Sequence, residues 1–122
     1  MTLIDTSVWV RFFKGLDEAR FAGNRIREGA ALLHPLVLGE LLLGGLSSRN
    51  ESLLQALPLI PADPPQRIYE FIKESSLSGH GVGWVDAAIL CSAIQNGAVL
   101  ATFDDALQTC AKRLGISCMV DR

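Results

Sequence analysis

Pairable cysteines are missing from this chain of 122 residues: Cys91, Cys110 and Cys118 form an odd set without a C-x-x-C spacing. That argues against a disulfide framework, a zinc knuckle and a dithiol redox motif. The three read instead as reduced core or near-core residues of a cytosolic protein. Histidine is scarce, and neither His34 nor His80 has a paired spacing with cysteine or with the other, so a transition-metal site is not expected. A basic surplus is also absent. The formal charge is -2, from 11 Lys+Arg against 13 Asp+Glu, which counts against binding nucleic acid through net charge while leaving room for a local basic patch. No basic stretch precedes an apolar run at the start, and an acid arrives at Asp5, so a signal peptide is not expected. The most apolar segment, 30–46, is interrupted by His34, Pro35 and Glu40 and is too short for a membrane span; a cytoplasmic protein is expected. Without a repeat, a linker, a low-complexity run or a charged tail, the chain reads as one domain over 1–122.

What is present is apolar. Hydrophobic residues make up 49% of the chain and the mean hydropathy is +0.30. A chain of this length can bury a real core, and the excess suggests an apolar surface used for self-association or for a partner. Leu3-Ile4-Asp5 predicts a short buried strand, with Thr6 and Ser7 as N-caps and a helix from Val8 to Lys14. An amphipathic helix is expected over 16–28, with Gly29 as its stop. A brief strand follows over 30–33, then a helix from Pro35 to about Leu43 and another through Leu57. Leu59-Ile60 reads as a very short strand. Further helices are expected from Pro64-Pro65 to about Leu77, from Trp84 to Gln95, and from Asp104 or Asp105 to Leu114. Strands are expected over 98–102 and 116–120. The alternation predicts an α/β protein, with a parallel sheet of about four or five short strands and helices on both faces.

Four acids stand in awkward places. Asp5 and Asp104 each follow an apolar strand, where open α/β sheets usually place their active sites, although either could simply cap a helix. Glu40 lies in Leu36-Val37-Leu38-Gly39-Glu40-Leu41-Leu42-Leu43, a helix apolar nearly all round and therefore expected to be buried or at an interface. A buried carboxylate there needs a cation, a donor or a route to solvent. Asp86 sits in the first turn of its helix, after the loop Gly79-His80-Gly81-Val82-Gly83; dipole compensation alone would explain it. Together the four would repel one another unless a cation lay among them, and an all-oxygen set favours a hard ion such as Mg²⁺ or Mn²⁺. Asp105 reads as a solvated first-turn acid.

The stretches Leu3-Ile4-Asp5-Thr6-Ser7-Val8-Trp9, His34-Pro35-Leu36-Val37-Leu38-Gly39-Glu40-Leu41, Gly81-Val82-Gly83-Trp84-Val85-Asp86 and Thr102-Phe103-Asp104 resemble, in order, those of the PIN-domain family, and within it the VapC-type toxins of prokaryotic toxin–antitoxin pairs. The resemblance implies a three-layer α/β/α sandwich, Mg²⁺- or Mn²⁺-dependent RNA cleavage, a homodimer and a small antitoxin partner. It places Asp5, Glu40, Asp86 and Asp104 at the family's acidic positions, with Asp5 and Asp86 holding the principal metal. Thr6, Ser7 and Thr102 fall at hydroxyl positions near the site, with Asp105 as a further supporting residue. The chain departs from many relatives behind Asp86, where Ala87-Ala88 replaces a polar residue or histidine. Arg11, Lys14 and Arg49 are candidate contacts to the RNA backbone, and Trp9 and Trp84 read as core or interface.

Rival readings fare worse. An aspartate-nucleophile phosphatase of the haloacid dehalogenase type needs a second aspartate where Ser7 stands, and a receiver domain needs an acidic pair before its phospho-acceptor. A PIN-fold RNA-processing nuclease without a toxin role, and a non-catalytic binding module, stay open on sequence alone.

Overall fold

In the computed structural model, which describes residues 1–119, the apolar opening forms β1 (Thr2–Ile4), all three of whose residues are buried. A strand buried on both faces belongs inside a sheet. β1 is indeed central, pairing in parallel with β2 (Ala31–Leu32) on one side and β3 (Val99–Ala101) on the other, with Thr2 opposite both Ala31 and Val99. The two outermost strands expected from sequence shrink to single parallel bridges, Leu33 with Leu59 and Leu100 with Cys118. At Leu59 the flanking prolines explain this, since Pro58 and Pro61 bring no N–H to a ladder. The last residue of the 116–120 strand, Val120, lies outside the described residues. The spatial order is therefore Leu59, β2, β1, β3, Cys118.

Helices fill the connections. After β1 come α1 (Thr6–Phe13), a 3₁₀ turn at Asp17–Ala19 and α2 (Arg20–Arg27); after β2 come α3 (Pro35–Leu43), α4 (Ser48–Gln55), α5 (Pro65–Glu74) and α6 (Trp84–Asn96); after β3 comes α7 (Asp105–Arg113). The helix expected over 16–28 is thus split. His34 caps α3, its Nδ1 accepting from the Leu36 N–H at 3.0 Å, and Gly97 ends α6 in the left-handed region at φ 61°, a conformation glycine adopts without strain. Strand order moves outward from β1 through β2 to Leu59, then reverses to β3 and Cys118. Right-handed crossovers in opposite directions put the two sets of helices on opposite faces, which is the three-layer α/β/α arrangement.

Trp9 anchors the layer formed by α1. It is fully buried, its Nε1 donates to the Ile4 carbonyl at 3.1 Å, and its ring lies 5.8 Å from both Phe12 and Phe13. Trp84, by contrast, is 44% exposed and lies 5.6 Å from Tyr69. Among the described residues no helix is long and apolar enough to cross a membrane.

Candidate active site

The reversal of strand order falls between β1 and β3, and the crevice at the carboxyl ends of such a pair is where open α/β sheets bind ligands. Asp5 follows β1 there, and Asp104 follows β3 with Thr102 and Phe103 between. Asp5 occupies the N-cap position of α1 by its backbone, yet its side chain caps nothing. Thr6 and Ser7, expected as caps, are instead the first helical residues, so α1 starts two residues earlier than the sequence predicted.

Asp5 is 6% exposed, and its carboxylate is held from two sides. Ser7 Oγ donates to its Oδ2 at 2.9 Å and Thr102 Oγ1 donates to the same oxygen at 2.7 Å. Each hydroxyl also accepts a backbone N–H from the turn after β3, Ser7 from Phe103 at 2.9 Å and Thr102 from Asp104 at 3.0 Å. Both hydroxyl protons are committed to Asp5, so the 3.3 Å separation of the two hydroxyl oxygens is a packing contact and not a bond. The arrangement ties the two strand ends together and, among the described residues, leaves Asp5 Oδ1 without a hydrogen bond.

The other acids are held by their own surroundings. Glu40 is exposed, against the burial expected from its apolar neighbours. The helix α3 buries Val37 and Leu41 while leaving Leu42 44% and Leu43 91% exposed, so its apolar sequence covers a solvent face. Glu40 therefore has both a route to water and a donor, the Thr6 hydroxyl at 2.6 Å. Asp86, half-buried, accepts from the N-cap Gly83 N–H at 3.1 Å, and glycine offers no side chain to return the bond. Asp104 is exposed and caps α7 through the Leu107 N–H at 2.9 Å, and Asp105 is exposed in the first turn of that helix.

The four acids share one electrostatic field. Burial pushes the Asp86 carboxyl above the ordinary aspartate range; the Gly83 N–H opposes this, and the negative charges of Asp5, Asp104 and Glu40 push it further up. Among the described residues no three His, Cys, Asp or Glu side chains are gathered closely enough to cage a metal ion. The donor set nevertheless fits a hard divalent cation: it is all carboxylate, mutually repelling, and supported by hydroxyls that fix one oxygen of Asp5.

A pH effect follows for the metal-free protein. An acid whose folded value is raised contributes stability that is full below its unfolded range and is lost as pH rises through the folded value. Ionised Asp86 thus destabilises the metal-free fold near neutral pH. Asp86→Asn, which keeps an oxygen for the Gly83 N–H, is expected to raise the thermal midpoint in EDTA at neutral pH. The gain should vanish once pH falls below the ordinary aspartate range, and a gain unchanged by acid would refute the electrostatic origin.

Sequence reasoning missed the part played by Arg11. Its guanidinium donates to the Ser7 carbonyl at 2.9 Å, lies 4.5 Å from the centre of the Phe103 ring and is 3.8 Å from Glu18. It joins the helix carrying Ser7 to the turn carrying Asp104, and a residue so engaged is badly placed to serve an RNA backbone. No local signal could have shown this, because Phe103 is brought to Arg11 only by the pairing of β1 with β3.

Comparison with known proteins agrees with this fold. The family model described as "PIN domain" matches residues 2–113. Ribonuclease VapC32 of Mycobacterium tuberculosis is 34% identical over 120 residues, covering 96% of this chain and 95% of that protein. The crystal structure of FitAcB from Neisseria gonorrhoeae superposes with a TM-score of 0.66 at 20% identity, over 98% of this chain and 97% of that one. A toxin–antitoxin complex from Klebsiella pneumoniae gives 0.63 at 21% identity, over 85% and 87%.

Proposed function

The chain belongs to the PIN-domain family, and from that premise we propose that it is a single-domain, metal-dependent endoribonuclease, the toxin of a type II toxin–antitoxin pair. The observation that carries the reading is the placing of Asp5 and Asp104 at neighbouring strand ends where the strand order reverses, with Glu40 tied to Thr6 next to Asp5 and Asp86 raised by the charges of all three. The ribonuclease name of the mycobacterial relative and the toxin–antitoxin complex among the structural neighbours support it.

Asp5 and Asp86 would hold the principal Mg²⁺ or Mn²⁺, with Glu40 and Asp104 completing the set. Such an ion, when bound, lowers the pKa of a water and offsets charge on a phosphoryl oxygen during phosphodiester hydrolysis. The chain's own residues do the positioning. Ser7 and Thr102 fix Oδ2 of Asp5 and so leave Oδ1 as the oxygen open to a ligand. Thr6 steadies Glu40, and the Gly83 N–H steadies Asp86. A cytoplasmic homodimer neutralised by a small antitoxin completes the proposal; the exposed leucines of α3 provide apolar surface for such contacts.

The test is cleavage of defined single-stranded RNA pools by the purified protein with Mg²⁺ or Mn²⁺. Cleavage is expected with either ion and is expected to stop on adding EDTA. Cleavage that persists in EDTA, or none with any divalent ion, would overturn the reading.

A further inference from the structure

A groove of about 310 Å³ opens directly from Glu40. One wall is a single face of α1, formed by Thr6, Val10, Phe13 and Lys14; the other comprises the end of α3 at Glu40 and Gly44 and the start of α4 at Asn50. We propose that this groove binds the unpaired nucleotide next to the scissile phosphate, and so contributes to which RNA is cut. The inference rests on the ribonuclease reading and deepens it.

Continuity is the first reason. Thr6 and Glu40, joined at 2.6 Å, belong both to the groove and to the acidic cluster. A strand whose phosphodiester lies at the acids must place a flanking nucleotide within reach of them. Lys14 lies two turns further along α1, about 12 Å from Thr6 by helix rise, on the scale of the next stretch of backbone.

Charge is the second. Of the described lysines and arginines, Arg11, Arg20, Arg25 and Arg67 are in ion pairs. Arg27 and Arg113 donate to Asn24 and to the Ser75 carbonyl, and Lys112 has a partner as well. Lys14, Arg49 and Lys73 have none among the described residues. One of those three, Lys14, is in the groove wall, and a second, Arg49, does not line it but follows the lining residue Ser47 by two positions and precedes the lining residue Asn50. An anionic occupant is what such uncommitted cations suit.

The lining chemistry is the third. Val10 and Phe13 offer an apolar surface to a base, and Asn50 offers a carboxamide that makes no hydrogen bond among the described residues, its backbone N–H alone being taken by Ser47 at 3.2 Å. Apolar contact plus an amide to read a base edge is how unpaired RNA is recognised. The groove is too small for a duplex.

Gly44 gives a way to fill it. Its backbone is ordinary right-handed helix, φ -78° and ψ -2°, and an added Cβ would meet only the Leu41 and Glu40 carbonyl oxygens at 3.5 and 3.6 Å. Gly44→Leu therefore adds bulk without backbone strain. With the cleaved bond of a short single-stranded RNA mapped for the wild type, the flanking nucleotide on either side is replaced by an abasic residue and kcat/KM is measured.

The wild type is expected to lose tenfold or more on one of the two abasic RNAs. Gly44→Leu should lose a comparable factor on the intact RNA and nothing further on that abasic RNA. Asn50→Ala should lose less, and again only on the intact RNA. Thermal midpoints and Mn²⁺ isotherms, measured alongside, are expected to match the wild type. Equal cleavage of both abasic RNAs, or intact-RNA kinetics unchanged in both variants, would overturn the subsite and leave the groove to a protein partner. A wild type that cleaves no RNA would overturn the ribonuclease reading, and the subsite with it.

Discussion

Asp5→Asn is expected to lower RNA cleavage by about three orders of magnitude or more while leaving the fold intact. The magnitude follows from the several kcal/mol that a bound divalent ion supplies to such reactions, at 1.36 kcal/mol per factor of ten. Structural tolerance follows from the site. Asparagine keeps one oxygen, which can accept from both Ser7 and Thr102 as Oδ2 of Asp5 does at 2.9 and 2.7 Å, and places its amide where Oδ1 faces away from them. Since the side chain caps nothing, α1 loses no cap. Mn²⁺ calorimetry on the variant is expected to show much weaker binding, and a melt should stay close to wild type. Wild-type-like cleavage would sink the assignment of Asp5 as a metal ligand.

Trp9→Ala is expected to have the largest effect on stability. Removing a fully buried large aromatic costs about 3–5 kcal/mol, which for a chain of this size is roughly 10–20 °C in the midpoint. Trp9 also carries more than area. Its indole N–H satisfies the Ile4 carbonyl at 3.1 Å, and its ring organises Phe12 and Phe13. Truncation leaves that carbonyl, one residue before Asp5, without its donor. Thermal melts check the first effect. A Trp9→Phe variant, which restores most of the ring but not the N–H, separates the second. A drop of only a degree or two for Trp9→Ala would mean that the α1 layer packs without it.

Much of the architecture was legible locally. Apolar runs that end in an acid marked β1 and β3, Gly and Pro marked most helix limits, and the alternation of elements gave a parallel sheet. The strands at the two sheet edges were not legible as single bridges, because pairing at Leu59 is set by what its flanking prolines withhold and pairing at Cys118 by the reach of β3. The positions of Asp5 and Asp104 at neighbouring strand ends could be anticipated from the same pattern. The exposure of Glu40 could not. Leucine is the usual sign of burial, but α3 has leucines on its solvent side as well, so its sequence carries no periodic signal of which face is outside. The family resemblance put Ser7 and Thr102 near the site, but their joint grip on Asp5 and the role of Arg11 depend on contacts between residues more than 90 positions apart and have no local trace.

The pairing of β1 with β3 has a consequence during synthesis. Thr2–Ile4 emerges well before its neighbour on one side, Val99–Ala101, since Thr2 pairs with a residue 97 positions later in the chain. The hydroxyl that fixes Asp5, from Thr102, and the turn that carries Asp104 come later still. Non-local pairings of this kind form late, so a nascent chain that has not yet released residue 104 has neither a completed sheet centre nor an assembled set of acids. For a protein read as a ribonuclease and made in the midst of RNA, the order of the chain itself delays the appearance of activity until residue 104 is free to join the strand ends.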